Sequence, residues 1–164
     1  MEGDVLLNDP TPDQAADIVA ITRLAVCYSE AICRGEVEEA VLVYADGGVL
    51  ASATTPDAVG REAIAATIRT ATAGLEFVFQ TTHGGLVDVH GDTAWARFPT
   101  TEWAKTGSGE TMQFLGMYED EVIRTGDGWR FARRYLHGLT LGKTDTFRSS
   151  RTHPLAPPSH HAGR

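Results

Sequence analysis

Two side chains that can exchange protons near neutral pH, His83 and Glu102, stand on either side of a short β-rich stretch. An imidazole titrates near neutrality, and apolar surroundings bring a carboxyl group toward the same range. Such a pair is typical of general acid–base catalysis on a small molecule. The two groups can act together only if both point to the same side of the folded chain.

The residues between them predict a β-hairpin with that property. Gly91-Asp92 is a pair typical of two-residue turns, and β-rich runs flank it. Uninterrupted pairing from this turn sets Thr100 opposite His83. Because side chains alternate along a strand, His83 and Glu102 then lie diagonally on one face, roughly 7–8 Å apart. The rest of that face is apolar and includes Gly85, Val87, Val89, Ala94, Ala96 and Phe98.

Helical patterns occupy most of the chain before the hairpin. Thr11, Pro12 and Gln14 form a capping signature for a first helix, whose apolar stripe includes Tyr28 and which ends near Arg34-Gly35. We expect further helices over Val37–Tyr44 and Arg61–Thr72, with a short strand at Val49–Ala53 between them.

Strand patterns continue after the third helix, over Leu75–Thr82, Thr111–Arg124 and Trp129–Leu141. A four-residue turn at Thr125–Gly128 sets Asp120 opposite Arg133 as a cross-strand ion pair. The same pairing sets His137 opposite Gly116, on one inward face with Tyr118.

Helices followed by antiparallel strands indicate an α+β fold. We expect helices packed on a strongly curved, mostly antiparallel sheet that forms a cone with an internal pocket. The expected organisation is a flexible lead-in (1–12), one domain (13–142) and a mobile tail (143–164).

The chain resembles the SnoaL-like branch of the nuclear transport factor two-like superfamily, which includes small polyketide cyclases, dehydratases and isomerases. The motifs that carry the resemblance are Asp17-Ile18 with Tyr28, Arg34-Gly35-Glu36, Tyr44–Val49, Gly60–Ile64, Thr82-His83-Gly84, Gly91–Ala94 and Gly128–Phe131.

The resemblance implies catalytic roles for three residues. In similar dehydratases and dehydrochlorinases, a histidine matching His83 is the base, and an aspartate near the end of the first helix partners it. That aspartate is Cys33 here, so the usual dyad is absent. Similar bile-acid dehydratases match Glu102 and Tyr28. We expect catalysis by His83, Glu102 and Tyr28, with a substrate contacted by His137, Tyr118, Phe98, Thr100, Cys33 and Tyr44.

Composition limits the other classes of function. The net charge of −8 disfavours nucleic acid as a partner. We expect neither a membrane span nor a secretion leader, and the two cysteines favour a reduced, cytoplasmic protein. The sequence has neither the residue spacing of a metal site nor the glycine-rich loop of a phosphate site, so no metal and no cofactor are expected. Trp95 and Trp103, on the outer hairpin face, suggest a homodimer surface.

The sequence therefore predicts a cofactor-independent dehydratase, isomerase or cyclase acting on a small, largely apolar polyketide-, terpenoid- or steroid-like molecule. We expect His83 to transfer the proton and Tyr28 to hold a substrate oxygen. Glu102 would orient the His83 ring or supply the opposite proton. Three alternatives stay open: a binding protein without chemistry, an association module, and an epoxide hydrolase. Cys33 at the aspartate position favours the first of these.

Overall fold

The computed structural model describes residues 9–143, which form three α-helices and seven β-strands. Residues 1–8 and 144–164, which hold most of the predicted lead-in and tail, lie outside the described residues. Within residues 9–143, no helix combines the length and the apolar character that crossing a bilayer requires. The elements are α1 (Pro12–Arg34), α2 (Val37–Ala40), β1 (Tyr44–Ser52), β2 (Ala58–Val59), α3 (Arg61–Thr72), β3 (Leu75–Thr82), β4 (Leu86–His90), β5 (Thr93–Thr106), β6 (Thr111–Thr125) and β7 (Gly128–Lys143).

The first helix has the predicted caps at both ends. The Thr11 hydroxyl accepts a hydrogen bond from the Gln14 backbone N–H, and the Gln14 side chain accepts one from the Thr11 N–H at 3.0 Å. Gly35 ends the helix with φ of 72°, a left-handed conformation that glycine adopts without strain. The predictions of α1 and α3 are confirmed.

The second predicted helix is shorter than expected. Helix α2 ends at Ala40, a 3-10 turn covers Val41–Val43, and β1 already begins at Tyr44 rather than Val49. Tyr44 pairs with Phe131 in a parallel ladder, so tertiary pairing overrides the local helical pattern there.

The sheet is mixed but mostly antiparallel, with the order β2-β1-β7-β6-β5-β3 and β4 paired to β5. Among the strands within residues 9–143, only β1 and β7 pair in parallel. Helices α1 and α3 contribute buried side chains, such as Ile21 and Ile64, to one core with Phe98 and Phe131 of the sheet. The α+β class is confirmed. The expected strong curvature into a cone is wrong, because the sheet stays open and is not strongly curled.

The predicted hairpin register holds only near its turn. Strands β4 and β5 pair as expected from His90↔Thr93 to Leu86↔Arg97. Beyond Leu86 one extra residue is inserted, because Thr82, and not His83, pairs with Thr100. Gly85 lies in this bulge, where a Cβ would come within 2.3 Å of the Arg97 carbonyl oxygen. A shift of one residue turns every side chain of a strand to the other face of the sheet. The β3 residues that face the cavity are therefore those predicted to face outward.

A second set of shifts separates β6 from β7. The predicted pairing is confirmed from the turn to Val122↔Phe131, but Asp120 then pairs with Arg134 instead of Arg133. His137 consequently lies opposite Met117, and Gly138 takes the place opposite Gly116. A further shift follows between Leu115 and Gly116.

The crowding at Gly85 gives a prediction for stability. Gly85→Ala should lower the free energy of unfolding by about 2 kcal/mol, because its methyl group would meet the Arg97 carbonyl and the Phe98 ring. Gly84→Ala is the matched control, since no atom lies within 4 Å of a Cβ there. Urea denaturation measures both variants, and equal midpoints would contradict the assigned bulge.

Candidate active site

A cavity of about 630 Å³ lies between the two longer helices and the inner face of the sheet. This volume falls within the range of small-molecule sites. Its wall is largely apolar, and of the residues that the structure describes along it, Glu102 alone carries a carboxyl group. The wall also carries Tyr28, Gln80 and Tyr118.

Glu102 is held by a chain of side-chain hydrogen bonds that begins on α1. The Ser29 hydroxyl donates to Gln80 Oε1 at 3.0 Å, and Gln80 Nε2 donates to Glu102 Oε2 at 3.1 Å. The Thr82 hydroxyl bonds to Ser29 Oγ at the start of this chain. Because Ser29 uses the amide oxygen, the NH₂ group of Gln80 is the end that meets Glu102.

The partner of Glu102 is neutral, which determines how this carboxyl group titrates. Burial raises the pKa of Glu102 above its ordinary value, and the hydrogen bond from Gln80 offsets only part of that rise. Gln80 binds Oε2, so Oε1 is the atom left to carry the proton of the neutral acid. The arrangement can take up and release a proton at one defined oxygen.

The structure separates His83 from Glu102. Glu102 faces the cavity, whereas the His83 ring is exposed and its Nε2 lies 2.8 Å from Oγ1 of Thr101, on the outer face of β5. The expectation that the two groups share one face is wrong, because the bulge at residues 83–85 inverts the strand before it reaches the site. Thr82 occupies the inward position instead.

The shift between β6 and β7 likewise turns His137 away from the cavity. His137 is exposed, packs against the Tyr135 ring and lies 3.5 Å from Glu119. The expected pair of Asp120 with Arg133 is also wrong: Asp120 binds Arg134 through two hydrogen bonds of 2.9 and 3.1 Å. Arg133 binds Asp57 instead.

Three tyrosines pack edge to face beneath the cavity. The ring of Tyr28 lies 5.9 Å from that of Tyr118 and 6.1 Å from that of Tyr44. Tyr28 and Tyr118 line the cavity, whereas the fully buried Tyr44 does not. Burial raises the pKa of all three phenols, so they are neutral hydrogen-bond donors at physiological pH.

The remaining predicted contacts lie outside the cavity wall. Phe98 is fully buried in the core, and the Thr100 hydroxyl donates to the Thr81 carbonyl oxygen. Cys33 bonds to both the N–H and the carbonyl oxygen of Gln80, beside a smaller cavity of about 190 Å³. Burial raises the pKa of the Cys33 thiol, which favours a packed thiol over a nucleophile.

Sequence reasoning missed Ser29, Gln80, Thr82 and Arg134. A signal was present for two of them. Gln80 and Thr82 are polar residues two apart on a strand, which is the spacing of one face. The Gly84-Gly85 pair next to them is a recognised sign of a bulge.

The raised pKa of Glu102 gives a prediction for stability. The folded chain binds this proton more tightly than the unfolded chain, so the stabilising contribution is present below the unfolded pKa and is lost as the pH rises through the raised value. Glu102→Gln should therefore be more stable than the parent above the raised pKa, with the difference closing in acid. Chemical denaturation across the pH range measures it.

Glu39→Gln is the control of opposite sign. The hydrogen bond from Arg34 lowers the pKa of Glu39, so its contribution is present above the unfolded pKa and is lost in acid. That variant should be less stable than the parent at neutral pH. If the free energies of unfolding of Glu102→Gln and the parent changed with pH in parallel, Glu102 would be solvated and the prediction would be wrong.

Several solved structures have this fold but share little sequence with the chain. A hexachlorocyclohexane dehydrochlorinase, LinA type 3 of Novosphingobium barchaimii, superposes with a TM-score of 0.75 at 12% identity, covering 89% of this chain and 98% of that one. A candidate scytalone dehydratase of Novosphingobium aromaticivorans superposes with a TM-score of 0.73 at 18% identity, covering 88% of this chain and 97% of that one. For a ketosteroid isomerase-like protein of Erwinia carotovora the TM-score is 0.66 at 20% identity, and the superposition covers 76% of this chain and 97% of that one.

The sequence itself matches a family model. A comparison with curated proteins found no match. The model of the SnoaL-like domain matches residues 13–135, which is most of the part of the chain that the structure describes. The resemblance seen in the sequence is confirmed, and the chain belongs to the SnoaL-like domain family.

Proposed function

We propose that this protein is a cofactor-independent acid–base enzyme in which Glu102 transfers the proton. The observation that carries the proposal is a carboxyl group with a raised pKa in the wall of a largely apolar cavity. A carboxylate with a raised pKa is a stronger base than an exposed one, and its neutral form persists to a higher pH. His83 has no part in this proposal, because its ring lies on the outer face.

The reaction proposed is the removal of a proton from a carbon next to a carbonyl group. Ionised Glu102 accepts the proton, and the electron pair moves onto the carbonyl oxygen. Tyr28 and Tyr118 line the same cavity and donate hydrogen bonds to this oxygen as its charge grows. Glu102, now neutral, returns its proton either to another carbon, which completes an isomerisation, or to a departing hydroxyl, which releases water.

A single proton carrier favours reactions in which both proton transfers occur on one side of the substrate. Isomerisation of a double bond and elimination of water both meet this condition. The cavity size and its apolar wall support a neutral substrate of polyketide, terpenoid or steroid type. Among the cavity residues that the structure describes, none is a Lys, Arg or His that would pair with an anionic group.

Turnover by matched variants tests the proposal. A panel of cyclic β,γ-unsaturated ketones and β-hydroxy ketones is suitable, because both reactions give a conjugated ketone that ultraviolet absorbance detects. Glu102→Gln should lower the rate about 10²-fold or more, since it removes the proton carrier and keeps the shape. His83→Ala and His137→Ala should keep the parental rate. A full rate in Glu102→Gln, or a comparable loss in His83→Ala, would contradict the proposal.

A binding protein without chemistry is the second candidate. It is favoured by the presence of only one carboxyl group and no imidazole among the described residues of the cavity wall. In that case the ketones would bind equally to the parent and to Glu102→Gln, and would be recovered unchanged from both.

We also propose a cytoplasmic homodimer that associates through the outer face of the sheet. The supporting feature is the half-buried Trp95 ring, which carries the Arg97 guanidinium at 5.0 Å on the face opposite the buried Ala94 and Ala96. Light scattering should give twice the mass of one chain, and Trp95→Glu should give the mass of a single chain. A parent protein with the mass of one chain would exclude the dimer.

A further inference from the structure

A buried ion pair lies directly behind the two tyrosines of the cavity. The side chains of Arg134 and Asp120 are both 0% exposed. The guanidinium carbon of Arg134 lies 3.9 Å from the ring centroid of Tyr118 and 4.8 Å from that of Tyr28. Asp120 binds the guanidinium through Nε and Nη2, so the carboxylate lies at the side of the cation.

Stability alone is a weak reason for such a pair. The desolvation of two buried charges offsets most of their attraction, and apolar residues of equal volume often serve as well. This pair is also incomplete, because Nη1 of Arg134 has no hydrogen-bond partner among the described residues. A buried cation with an unused donor, stacked on two cavity residues, indicates a task beyond packing.

We propose that Arg134 is a positioning residue that strengthens Tyr28 and Tyr118 as hydrogen-bond donors toward the cavity. A cation over the face of a phenol ring draws electron density from the ring and its oxygen. The hydroxyl hydrogen then bonds more strongly to an oxygen on which charge develops. Arg134 itself is sealed beneath the rings and contacts no substrate, so it acts only through the tyrosines.

The other titratable groups that face this cluster are Asp120, Tyr44 and Glu102. Burial raises the pKa of Tyr28 and Tyr118, and the charge of Glu102 adds to the rise, whereas the charge of Arg134 lowers it. Burial also acts to lower the pKa of Arg134, but Asp120 and the tyrosines more than offset this effect. The guanidinium therefore stays charged at physiological pH.

This inference deepens the proposed function and rests on it for its catalytic meaning, but its test needs no substrate. The full chain is labelled with difluorotyrosine, whose phenol is more acidic than that of tyrosine, and titrated by fluorine NMR. Of the four tyrosines, Tyr135 lies on the outer face and is the internal control. Tyr→Phe variants assign the four signals.

Two variants should move the signals in opposite directions. The double variant Asp120→Leu/Arg134→Met replaces the ion pair by apolar side chains of similar volume. It should raise the pKa of Tyr28 and Tyr118 by about one unit or more. Asp120→Asn keeps the cation, removes its counter-charge and should lower the pKa of both tyrosines by a similar amount. Tyr135 should not move in either variant.

Opposite shifts support the inference, because a purely structural role would not change sign with the charge. Unchanged titration of Tyr28 and Tyr118, or a shift in the same direction in both variants, would overturn it. If the double variant does not fold, Asp120→Asn decides alone: a lower pKa of Tyr28 and Tyr118 supports the inference, and an unchanged or higher pKa overturns it. A catalytically silent Glu102→Gln would remove the proposed function but leave this result standing.

Discussion

Side chains alternate between the two faces of a β-strand, so the number of residues between a turn and a site decides which groups face the cavity. In this protein, extra residues enter the ladders on both sides of the central strands. One lies at residues 83–85, where Gly85 packs so closely on Phe98 and the Arg97 carbonyl that no larger residue fits. Others lie between β6 and β7. Each inverts the strand beyond it.

The inversions determine the chemistry of the inner face. They turn Gln80 and Thr82 toward α1, where Ser29 joins them into a chain of hydrogen bonds that ends at Glu102. On β7 they bring Arg134 beneath the tyrosines and leave His137 outside. A face without bulges would have presented two imidazoles to the cavity. The observed face presents one carboxyl group and two phenols.

Two carboxyl groups of this inner face, the fully buried Asp120 and the half-buried Glu102, have different partners and therefore different uses. Asp120 is bound by a guanidinium, so the pair is fixed and charged. Glu102 is bound by an amide, which supplies a hydrogen bond without a charge, and its pKa is raised. Separate environments for two carboxyl groups are a common way to assign one a structural and the other a proton-transfer role.

Much of the architecture was predictable because its signals are local. The capping box at Thr11 and Gln14, the end of α1 at Gly35 and the turn at Gly91-Asp92 each depend on a few adjacent residues. The hairpin pairing was correct as far as Leu86. The Gly84-Gly85 pair is a local sign of one bulge, but the exact residues at which the ladders shift were not predictable, because the shifts arise where distant groups crowd, as the Phe98 ring does at Gly85. The site residues followed the bulges, so His83 was preferred over Gln80 and Arg133 over Arg134.

Glu102 faces a largely apolar cavity, and its hydrogen-bond partner Gln80 is neutral. Carbon NMR of the protein labelled at the glutamate side-chain carboxyl tests this placement directly, with Glu102→Gln identifying the signal. We expect this carboxyl group to titrate above the ordinary glutamate value of 4.5 and at a higher pH than the exposed glutamates. Titration together with the exposed glutamates would place Glu102 in water and contradict the account.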